Sequence, residues 1–201
     1  MLDRAAVTLI KPTIDRMARV LSHVGLGANH MTLLGFGIGM LAAVLIANGQ
    51  FLSGAVAILL SRLCDGLDGA IARRSQPTDA GGFLDIALDF VFYAAIPLAF
   101  ALADPARNAL AAALLLAAFC GTMSSFLAFA VIAAKRGMDN LAWPDKSFYF
   151  LGGLTEATET LACFIAMCIW PQLFPLLAGI FAAMCLVTTG TRIWWGWCSF
   201  S

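Results

Sequence analysis

The sequence predicts an all-α integral membrane protein, in which a bundle of six transmembrane helices follows an N-terminal amphipathic helix. Of the 201 residues, 61% are hydrophobic and only 12% are charged, a more apolar composition than ordinary soluble domains have. The apolar residues form six runs, each long enough to cross about 30 Å of hydrocarbon as a helix. The formal net charge is zero, which gives no electrostatic reason to expect a nucleic-acid partner.

Residues 1–24 are predicted to form an amphipathic helix at the membrane surface, ahead of a membrane domain over residues 25–201. Its apolar stripe, from which the basic and acidic residues are excluded, comprises Val7, Ile10, Ile14, Met17 and Leu21. A helix packed against the rest of the protein would show the same stripe, so both positions remain open. Pro12 either interrupts this helix or begins a second one.

The six membrane segments are predicted at residues 32–49, 51–73, 82–103, 107–134, 148–170 and 172–196, with turn-forming residues between them. Basic residues concentrate in cytoplasmic loops. A cytoplasmic N-terminus would leave Arg107 alone on the outer side and would place inside Arg4, Lys11, Arg16, Arg19, Arg73, Arg74, Lys135, Arg136, Lys146 and Arg192. We therefore expect a multi-pass protein, of a bacterial inner membrane, with both termini in the cytoplasm.

The second and third segments carry four aspartates, which are Asp65, Asp68, Asp85 and Asp89. An ionised aspartate near the bilayer centre costs roughly 2.5–3.5 kcal/mol, so a compensating charge is needed. The two segments run antiparallel, which places all four carboxylates within about 5–12 Å of the cytoplasmic end. Oxygen ligands of this kind favour Mg²⁺, Mn²⁺ or Ca²⁺. The sequence therefore predicts a divalent metal site, and two ions there would suit phosphoryl transfer.

Small residues surround these aspartates. Gly66 and Gly69 flank Asp68, Gly81 and Gly82 begin the third segment, and such residues allow close approach of a ligand or of another helix. Arg73 follows at the mouth of the slot, where it can pair with phosphate. The combination favours a ligand slot over helix packing alone.

The pattern Asp65-x-x-Asp68-Gly69-x-x-Ala72-Arg73, seven residues, then Gly81-x-x-x-Asp85-x-x-x-Asp89 resembles the signature of the CDP-alcohol phosphatidyltransferases, also called CDP-alcohol phosphotransferases. The gap of seven is one residue shorter than in many members. The resemblance implies an enzyme of phospholipid biosynthesis that transfers a substituted phosphate from a CDP-linked donor, most simply CDP-diacylglycerol, to a small alcohol. It also implies release of CMP, a cytoplasmic active site, and a homodimer among membrane lipids.

The resemblance further implies roles for individual residues. Asp65, Asp68 and Asp85 would bind Mg²⁺ or Mn²⁺, as two ions, and Asp89 would contact metal and take the proton from the acceptor hydroxyl. The cytidine diphosphate would be lined by Gly66, Gly69, Ala72 and Arg73. A second similarity, Ala28-Asn29-His30-Met31-Thr32, matches a Pro-Asn-x-x-Thr sequence of the family except for alanine in place of proline. It suggests that Thr32 approaches the nucleotide, whereas Asn29 is expected to cap the first segment.

The acceptor site is predicted less directly. Lys135 and Arg136 end the fourth segment on the side of the aspartates, where they either hold an acceptor phosphate or anchor the helix at the membrane surface. Glu156 and Glu159 lie in the fifth segment, and intramembrane acids are functional by default. Related enzymes with phosphorylated acceptors carry arginines in this region and this chain has none, which favours a polyol or a cationic alcohol.

Two other classes of membrane protein also place acids within their helices. Intramembrane prenyltransferases bind Mg²⁺ and pyrophosphate through two aspartate-rich motifs in separate segments, whereas these four aspartates fall within 25 residues. A cation transporter could use the aspartates as its ion site, but transporters usually contain internal repeats, and the latter half of the chain holds no second copy of the motif.

Overall fold

A computed structural model describes residues 12–21, 25–75, 77–137 and 154–201. All regular structure within these ranges is helical. Residues 12–21 form α1. The further helices are α2 (Ala28–Ala47), α3 (Phe51–Ala72), α4 (Asp79–Ala103), α5 (Pro105–Lys135), α6 (Ala157–Ile169) and α7 (Phe174–Phe200), and a turn of 3₁₀ helix at Pro171–Leu173 precedes α7.

The described chain contains four helical stretches that are long and apolar enough to cross a membrane, namely Ala28–Ala47, Asp79–Ala103, Pro105–Lys135 and Pro171–Phe200. Helix α3 has the necessary length, with 22 residues, but its charged residues make it less apolar. Helix α6 has 13 residues and spans about 20 Å, less than the thickness of the hydrocarbon. The chain is a multi-pass membrane protein, and the count of six crossings remains a prediction.

Most predicted borders lie within a few residues of the observed helix ends, and α6 is the exception. Its predicted segment began at residue 148, whereas the helix begins at Ala157 because Glu156 has extended backbone angles and acts as its N-cap. Residues 138–153, which include Lys146, lie outside the described residues. Asn29 was expected to cap the first segment, but this prediction is wrong. Helix α2 begins at Ala28, with Gly27 as its N-cap.

Helix α1 lies against α2 and α3. Ile14 and Ala18 are buried in a small apolar cluster with Met31 and Leu67, whereas Met17, a member of the predicted stripe, is exposed. Residues 12–21 therefore pack on the protein, which was one of the two positions that the stripe allowed. Residues 1–11 and 22–24 of the predicted amphipathic helix lie outside the described residues.

Glycines bring α2 close to α3 and α4. A Cβ atom on Gly35 would lie 3.0 Å from the Cβ of Cys64, and one on Gly39 would lie 2.6 Å from Cδ2 of Phe92. The Ser61 hydroxyl also donates a 2.7 Å hydrogen bond to the carbonyl oxygen of Gly35. Because these backbones approach so closely, the aspartates of α3 and α4 face each other across a narrow gap beside α2.

Helices α5 and α7 run side by side in the same direction. At the start of α5, Arg107 donates to the carbonyl oxygen of Gln172, and at its end Arg136 donates to the carbonyl oxygen of Phe200 at 2.6 Å. Parallel neighbours of this kind require the intervening chain, which includes α6, to return across the bundle. The core between α4, α5, α6 and α7 contains a group of contacting aromatic rings, which includes Phe92, Phe119, Phe164 and Phe181.

Candidate active site

Three of the four predicted metal ligands converge. Asp65 and Asp68 of α3 and Asp85 of α4 each offer one carboxylate oxygen, and these three oxygens lie within 4.8 Å of one another. Carboxylates at such distances repel one another in the absence of a cation, and carboxylate oxygens are the ligands that Mg²⁺ and Mn²⁺ prefer. The donor set therefore fits a divalent ion.

Helix α2 contributes a hydroxyl to this cluster. Thr32 Oγ1 donates a 2.6 Å hydrogen bond to Asp68 Oδ2, and the Asp68 side chain is almost fully buried, with 6% of the residue exposed. Hydrogen bonds to a ligating carboxylate fix its orientation toward a metal. Thr32, which the sequence suggested as a nucleotide contact, thus touches a predicted metal ligand.

The fourth aspartate, Asp89, has a different partner. Arg62, one turn before Asp65 on α3, donates from Nη1 to Asp89 Oδ1 and lies 3.2 Å from Asp65 Oδ1. The guanidinium also stacks on the ring of Phe92, with its central carbon 4.1 Å from the ring centroid. The predicted second ion would need Asp89, whose carboxylate is paired with this arginine.

Asp89 borders two cavities of different size. The aspartate cavity, of about 10 Å³, is lined by Thr32, Gly35, Phe36, Arg62, Asp65, Asp85, Leu88 and Asp89. The large cavity, of about 200 Å³, lies among α4, α5, α6 and α7, and its polar lining consists of Asp89, Tyr93, Thr122, Thr155, Glu156, Thr160 and Arg192, together with Cys185. A single carboxylate thus connects the acidic cluster with a space large enough for a small molecule.

The start of α6 forms one wall of the large cavity. The Thr188 hydroxyl of α7 accepts hydrogen bonds from the backbone nitrogen of Thr155, at 3.2 Å, and from its hydroxyl, at 3.0 Å. The backbone nitrogen of Glu156 donates to Glu159 Oε2 at 3.2 Å, as half of a capping box. Of the two glutamates predicted as acceptor contacts, Glu156 lines the cavity, and Glu159 is not among its described lining residues.

Lys135 and Arg136, the other predicted acceptor contacts, lie elsewhere among the described residues. Lys135 is exposed at the end of α5, and Arg136 stacks on the ring of Phe200, 5.2 Å from its centroid, while it donates to carbonyl oxygens at the end of α7. This arrangement matches the anchoring alternative. The large cavity is the more direct candidate for the acceptor.

The residues predicted to line the nucleotide occupy the last two turns of α3. Gly66 is exposed, Gly69 and Ala72 are half-buried, and Arg73 is the exposed C-cap of the helix. A Cβ atom on Gly69 would lie 3.3 Å from Arg73 Nη1, so the glycine allows the guanidinium to lie along the helix. These residues lie on the turns of α3 that carry and follow Asp65 and Asp68, and none of them is among the described lining residues of either cavity.

Arg62 and Arg192 are site residues that sequence reasoning missed. Arg62 lies within the second predicted segment and was given no role, although its position three residues before Asp65 was a usable signal. Arg192 was assigned to the cytoplasmic end of the last segment. It is instead buried, with 8% exposed, and donates to the carbonyl oxygen of Thr122 at 3.1 Å; no sequence signal distinguished it from a membrane anchor.

Comparison with known sequences places the site in a wider context. The family model described as CDP-alcohol phosphatidyltransferase matches residues 26–196. Inner membrane protein YnjF of Escherichia coli (strain K12) is 54% identical over 197 residues, which is 98% of this chain and 96% of that protein. An archaetidylinositol phosphate synthase of Methanothermobacter thermautotrophicus is 36% identical over 90 residues, which is 44% of this chain and 46% of that protein.

The fold also has solved counterparts. Mycobacterium tuberculosis phosphatidylinositol phosphate synthase (PgsA1) with CDP-DAG bound matches with a TM-score of 0.73 at 23% identity, over 92% of this chain and 93% of that chain. The same enzyme in complex with manganese and citrate has a TM-score of 0.73, over 92% and 88% of the two chains. At this identity the likeness establishes the shared fold, whereas function has to be argued from the site.

Proposed function

Because the chain belongs to the CDP-alcohol phosphatidyltransferase family, we propose that it transfers the phosphatidyl group of CDP-diacylglycerol to a small alcohol and releases CMP. The family assignment confirms the resemblance that the aspartate motif indicated, and it favours this reaction over prenyl transfer or cation transport. A relative of the same fold carries CDP-DAG, which supports a CDP-linked lipid as the donor.

The observation that carries the proposal is the position of Asp89. Its carboxylate borders both the aspartate cavity and the large cavity. A donor diphosphate at the cluster of Asp65, Asp68 and Asp85 and an alcohol in the large cavity would therefore meet beside this residue. Transfer between two bound substrates requires such a meeting point.

In the proposed reaction, Asp89 acts as the general base. The acceptor hydroxyl oxygen forms a bond to the phosphorus that carries the diacylglycerol, the diphosphate bond to that phosphorus breaks, and the hydroxyl proton passes to the Asp89 carboxylate. CMP leaves with the electron pair of the broken bond. A positioned base of this kind contributes about 10²–10⁴-fold.

A divalent ion would be held by Asp65, Asp68 and Asp85, with Thr32 orienting Asp68. Bound Mg²⁺ or Mn²⁺ would supply charge stabilisation for the diphosphate oxygens. The cytidine portion would lie along the end of α3, over Gly66, Gly69 and Ala72, with Arg73 available for a phosphate oxygen. These assignments extend the cluster into a complete donor site.

The membrane placement follows the distribution of basic residues. Arg73 and Arg74 end α3, and Lys135 and Arg136 end α5 beside the end of α7. We assign this side to the cytoplasm of a bacterial inner membrane, with both termini cytoplasmic. Six crossings then place the aspartates near the cytoplasmic surface, where a water-soluble nucleotide can enter while the lipid tails stay in the bilayer.

The test is release of CMP from labelled CDP-diacylglycerol by the purified protein in lipid vesicles, supplied with Mg²⁺ or Mn²⁺ and a panel of small alcohols. The variant Asp89→Asn should lower CMP release by about 10²–10⁴-fold. The matched control is Asp79→Asn, because Asp79 is exposed in the first turn of the same helix. Full turnover by the Asp89 variant would show that another group takes the proton.

Two further measurements separate the competing functions and identify the acceptor. Release of pyrophosphate in place of CMP would indicate prenyl transfer, and nucleotide-independent flux of Mn²⁺ into the vesicles would indicate transport. Lipid profiling of a deletion strain should show the loss of one head group, which names the acceptor alcohol. An unchanged profile with no CMP release from any acceptor would contradict the proposed function.

A further inference from the structure

The polar groups that line the large cavity present mainly hydrogen-bond acceptors. Three of its lining residues are threonines, namely Thr122, Thr155 and Thr160. Thr122 and Thr160 donate their hydroxyl hydrogens to carbonyl oxygens three and four residues earlier in the chain, at 3.0 Å and 2.9 Å. Thr155 donates to the hydroxyl of Thr188 at 3.0 Å. A hydroxyl carries one hydrogen and two lone pairs, so each of these threonines offers a molecule in the cavity an acceptor and no donor.

The charged groups of the lining add more acceptors than donors. Asp89 and Glu156 contribute carboxylates, which only accept hydrogen bonds when they are ionised, and the Tyr93 hydroxyl can donate or accept. Arg192 is the sole cation among the described lining residues, and its Nη1 already donates to the carbonyl oxygen of Thr122 at 3.1 Å. A molecule that binds in this cavity therefore has to supply hydrogen-bond donors.

This lining disfavours an acceptor alcohol that carries a phosphate. A phosphate ester accepts hydrogen bonds and bears roughly 1.5–2 negative charges at neutral pH. Even with Asp89 engaged in the transfer, the positive charge of Arg192 is matched by the carboxylate of Glu156 in the same cavity. Unmatched charge in a binding site is a means of rejecting the wrong ligand, so a phosphorylated acceptor should bind poorly.

The same lining disfavours a cationic alcohol. Sites for organic cations use open aromatic faces, but guanidiniums already lie beside two of the aromatic rings in this cavity. The Arg192 guanidinium carbon lies 5.8 Å from the ring centroid of Phe126. That of Arg62 lies at the same distance, 5.8 Å, from the ring centroid of Tyr93. A further cation would be repelled by this fixed positive charge, and the negative charge of Glu156 is partly offset by the N-terminus of α6.

We propose that the acceptor is an uncharged polyol, whose hydroxyl groups donate hydrogen bonds to the threonine and carboxylate oxygens of the large cavity; this inference rests on the proposed function. A polyol brings several donors and no net charge, which complements this lining. One hydroxyl oxygen bonds to the phosphorus, its proton passes to the base and CMP leaves, while the other hydroxyls keep their hydrogen bonds. Of the two acceptor classes that the sequence left open, the cavity favours the polyol.

The first experiment supplies acceptors in matched pairs. Purified protein in vesicles with labelled CDP-diacylglycerol and Mg²⁺ receives glycerol or glycerol 3-phosphate, myo-inositol or inositol 1-phosphate, or choline. We expect the preferred polyol to exceed both its own phosphate ester and choline by at least about 100-fold in kcat/KM for CMP release. A phosphate ester or choline that is used as well as the polyols would overturn the inference.

A methyl ether tests the hydrogen bonds themselves. The mono-O-methyl ether of the preferred polyol, methylated on a hydroxyl that does not react, keeps the oxygen and loses one donor. Its KM should rise about tenfold, because an oxygen of the lining is then left without its partner. An unchanged KM for the ethers of all the non-reacting hydroxyls would show that the polyol does not donate to the lining.

Glu156→Gln tests the contribution of charge. The substitution keeps an oxygen at this position and removes a negative charge that opposes phosphate, so the ratio of kcat/KM for the polyol to that for its phosphate ester should fall about tenfold. Glu159→Gln is the matched control, because Glu159 is outside the described lining of the large cavity, and it should leave the ratio unchanged. An equal decline for both acceptors in Glu156→Gln would assign Glu156 to helix capping and contradict its part in the selection.

Saturation-transfer NMR distinguishes failure of this inference from failure of the proposed function, because it detects weak binding without the donor and without turnover. The wild type should show transfer to a polyol, reduced in Glu156→Gln, and none to the phosphate ester. Absence of CMP release with every acceptor would contradict the proposed function. Stronger binding of the phosphate ester, or binding of none of the polyols, would overturn the polyol inference whether or not CMP is released.

Discussion

The two cavities that meet at Asp89 differ in size and in the chemistry of their walls. The aspartate cavity, among α2, α3 and α4, is narrow, and its carboxylates are held by Thr32 and Arg62. The large cavity has about twenty times the volume, from about 200 Å³ against about 10 Å³, and mixes aromatic, hydroxyl and charged groups. The same helical bundle thus contains one closely defined site and one open site.

The difference in packing between the two cavities indicates which part of the proposed reaction each cavity would determine. Closely packed helices hold carboxylates in a fixed geometry, which would suit the metal-assisted step of the reaction that we propose. The wider cavity is where we propose that the alcohol binds, so its side chains would determine the choice of acceptor. Changes on the two sides of Asp89 should therefore affect different kinetic parameters.

The largest effect is expected in the aspartate cavity. Asp85→Asn removes one of three converging carboxylates, and loss of a ligand should cost more than the about 10- to 100-fold typical of a group that only orients one. We expect CMP release to fall below detection and Mn²⁺ binding to weaken, as measured by isotope release and by paramagnetic resonance. Asp79→Asn should alter neither, and retained Mn²⁺ affinity in Asp85→Asn would show that the cluster is not the metal site.

A smaller effect is expected from the hydroxyl that supports the cluster. Thr32→Val keeps the shape of the side chain but removes its 2.6 Å hydrogen bond to Asp68, so Mn²⁺ affinity should fall by about 10- to 100-fold. Thr191→Val is a suitable control, because Thr191 is exposed and its hydroxyl bonds within its own helix. Equal behaviour of the two variants would mean that Thr32 does not orient a metal ligand.

In the large cavity, the change should appear in the Michaelis constant for the acceptor. Glu156→Gln removes a charge from the lining but keeps an oxygen that can cap α6, and loss of a charged hydrogen bond should raise KM for the alcohol about tenfold. The Mn²⁺ affinity should stay unchanged. Glu159→Gln makes the same substitution in the capping box outside the cavity, and an equal rise in KM there would assign the effect to helix capping.

The smallest effect on CMP release should come from the packing of α2 against α4, where a substitution should mainly change the stability of the protein. Gly39→Ala would place a Cβ atom 2.6 Å from the Phe92 ring, which should lower the stability of the detergent-solubilised protein by about 1–3 kcal/mol. Gly37→Ala meets nothing within 4 Å and should not lower the midpoint of thermal unfolding. Similar midpoints for the two variants would indicate that α2 and α4 are less closely packed than described.

The pattern of apolar runs predicted most of the helices. In a membrane, each run must hydrogen-bond its own backbone N–H and C=O groups, and a helix does so. It failed at α6, where an apolar sequence did not reveal that Glu156 would cap the helix at Ala157. The antiparallel order of the second and third segments predicted that four aspartates lie at one level. Asp65, Asp68 and Asp85 converge, whereas Asp89 is paired with Arg62. The place of Arg192 in the large cavity could not be predicted, since it depends on how α7 is rotated against α5.

The charged residues of α3 affect how this helix is inserted into the membrane. With Arg62, Asp65 and Asp68 near its centre and end, it is too polar to partition into a bilayer alone, because each such charge opposes insertion. Its links to the preceding helix, from Ser61 to the Gly35 carbonyl and from Thr32 to Asp68, offset part of that cost. The tight reversal at Gly49, which has a φ of +77°, joins the two helices, so they should leave the translocon together as a hairpin.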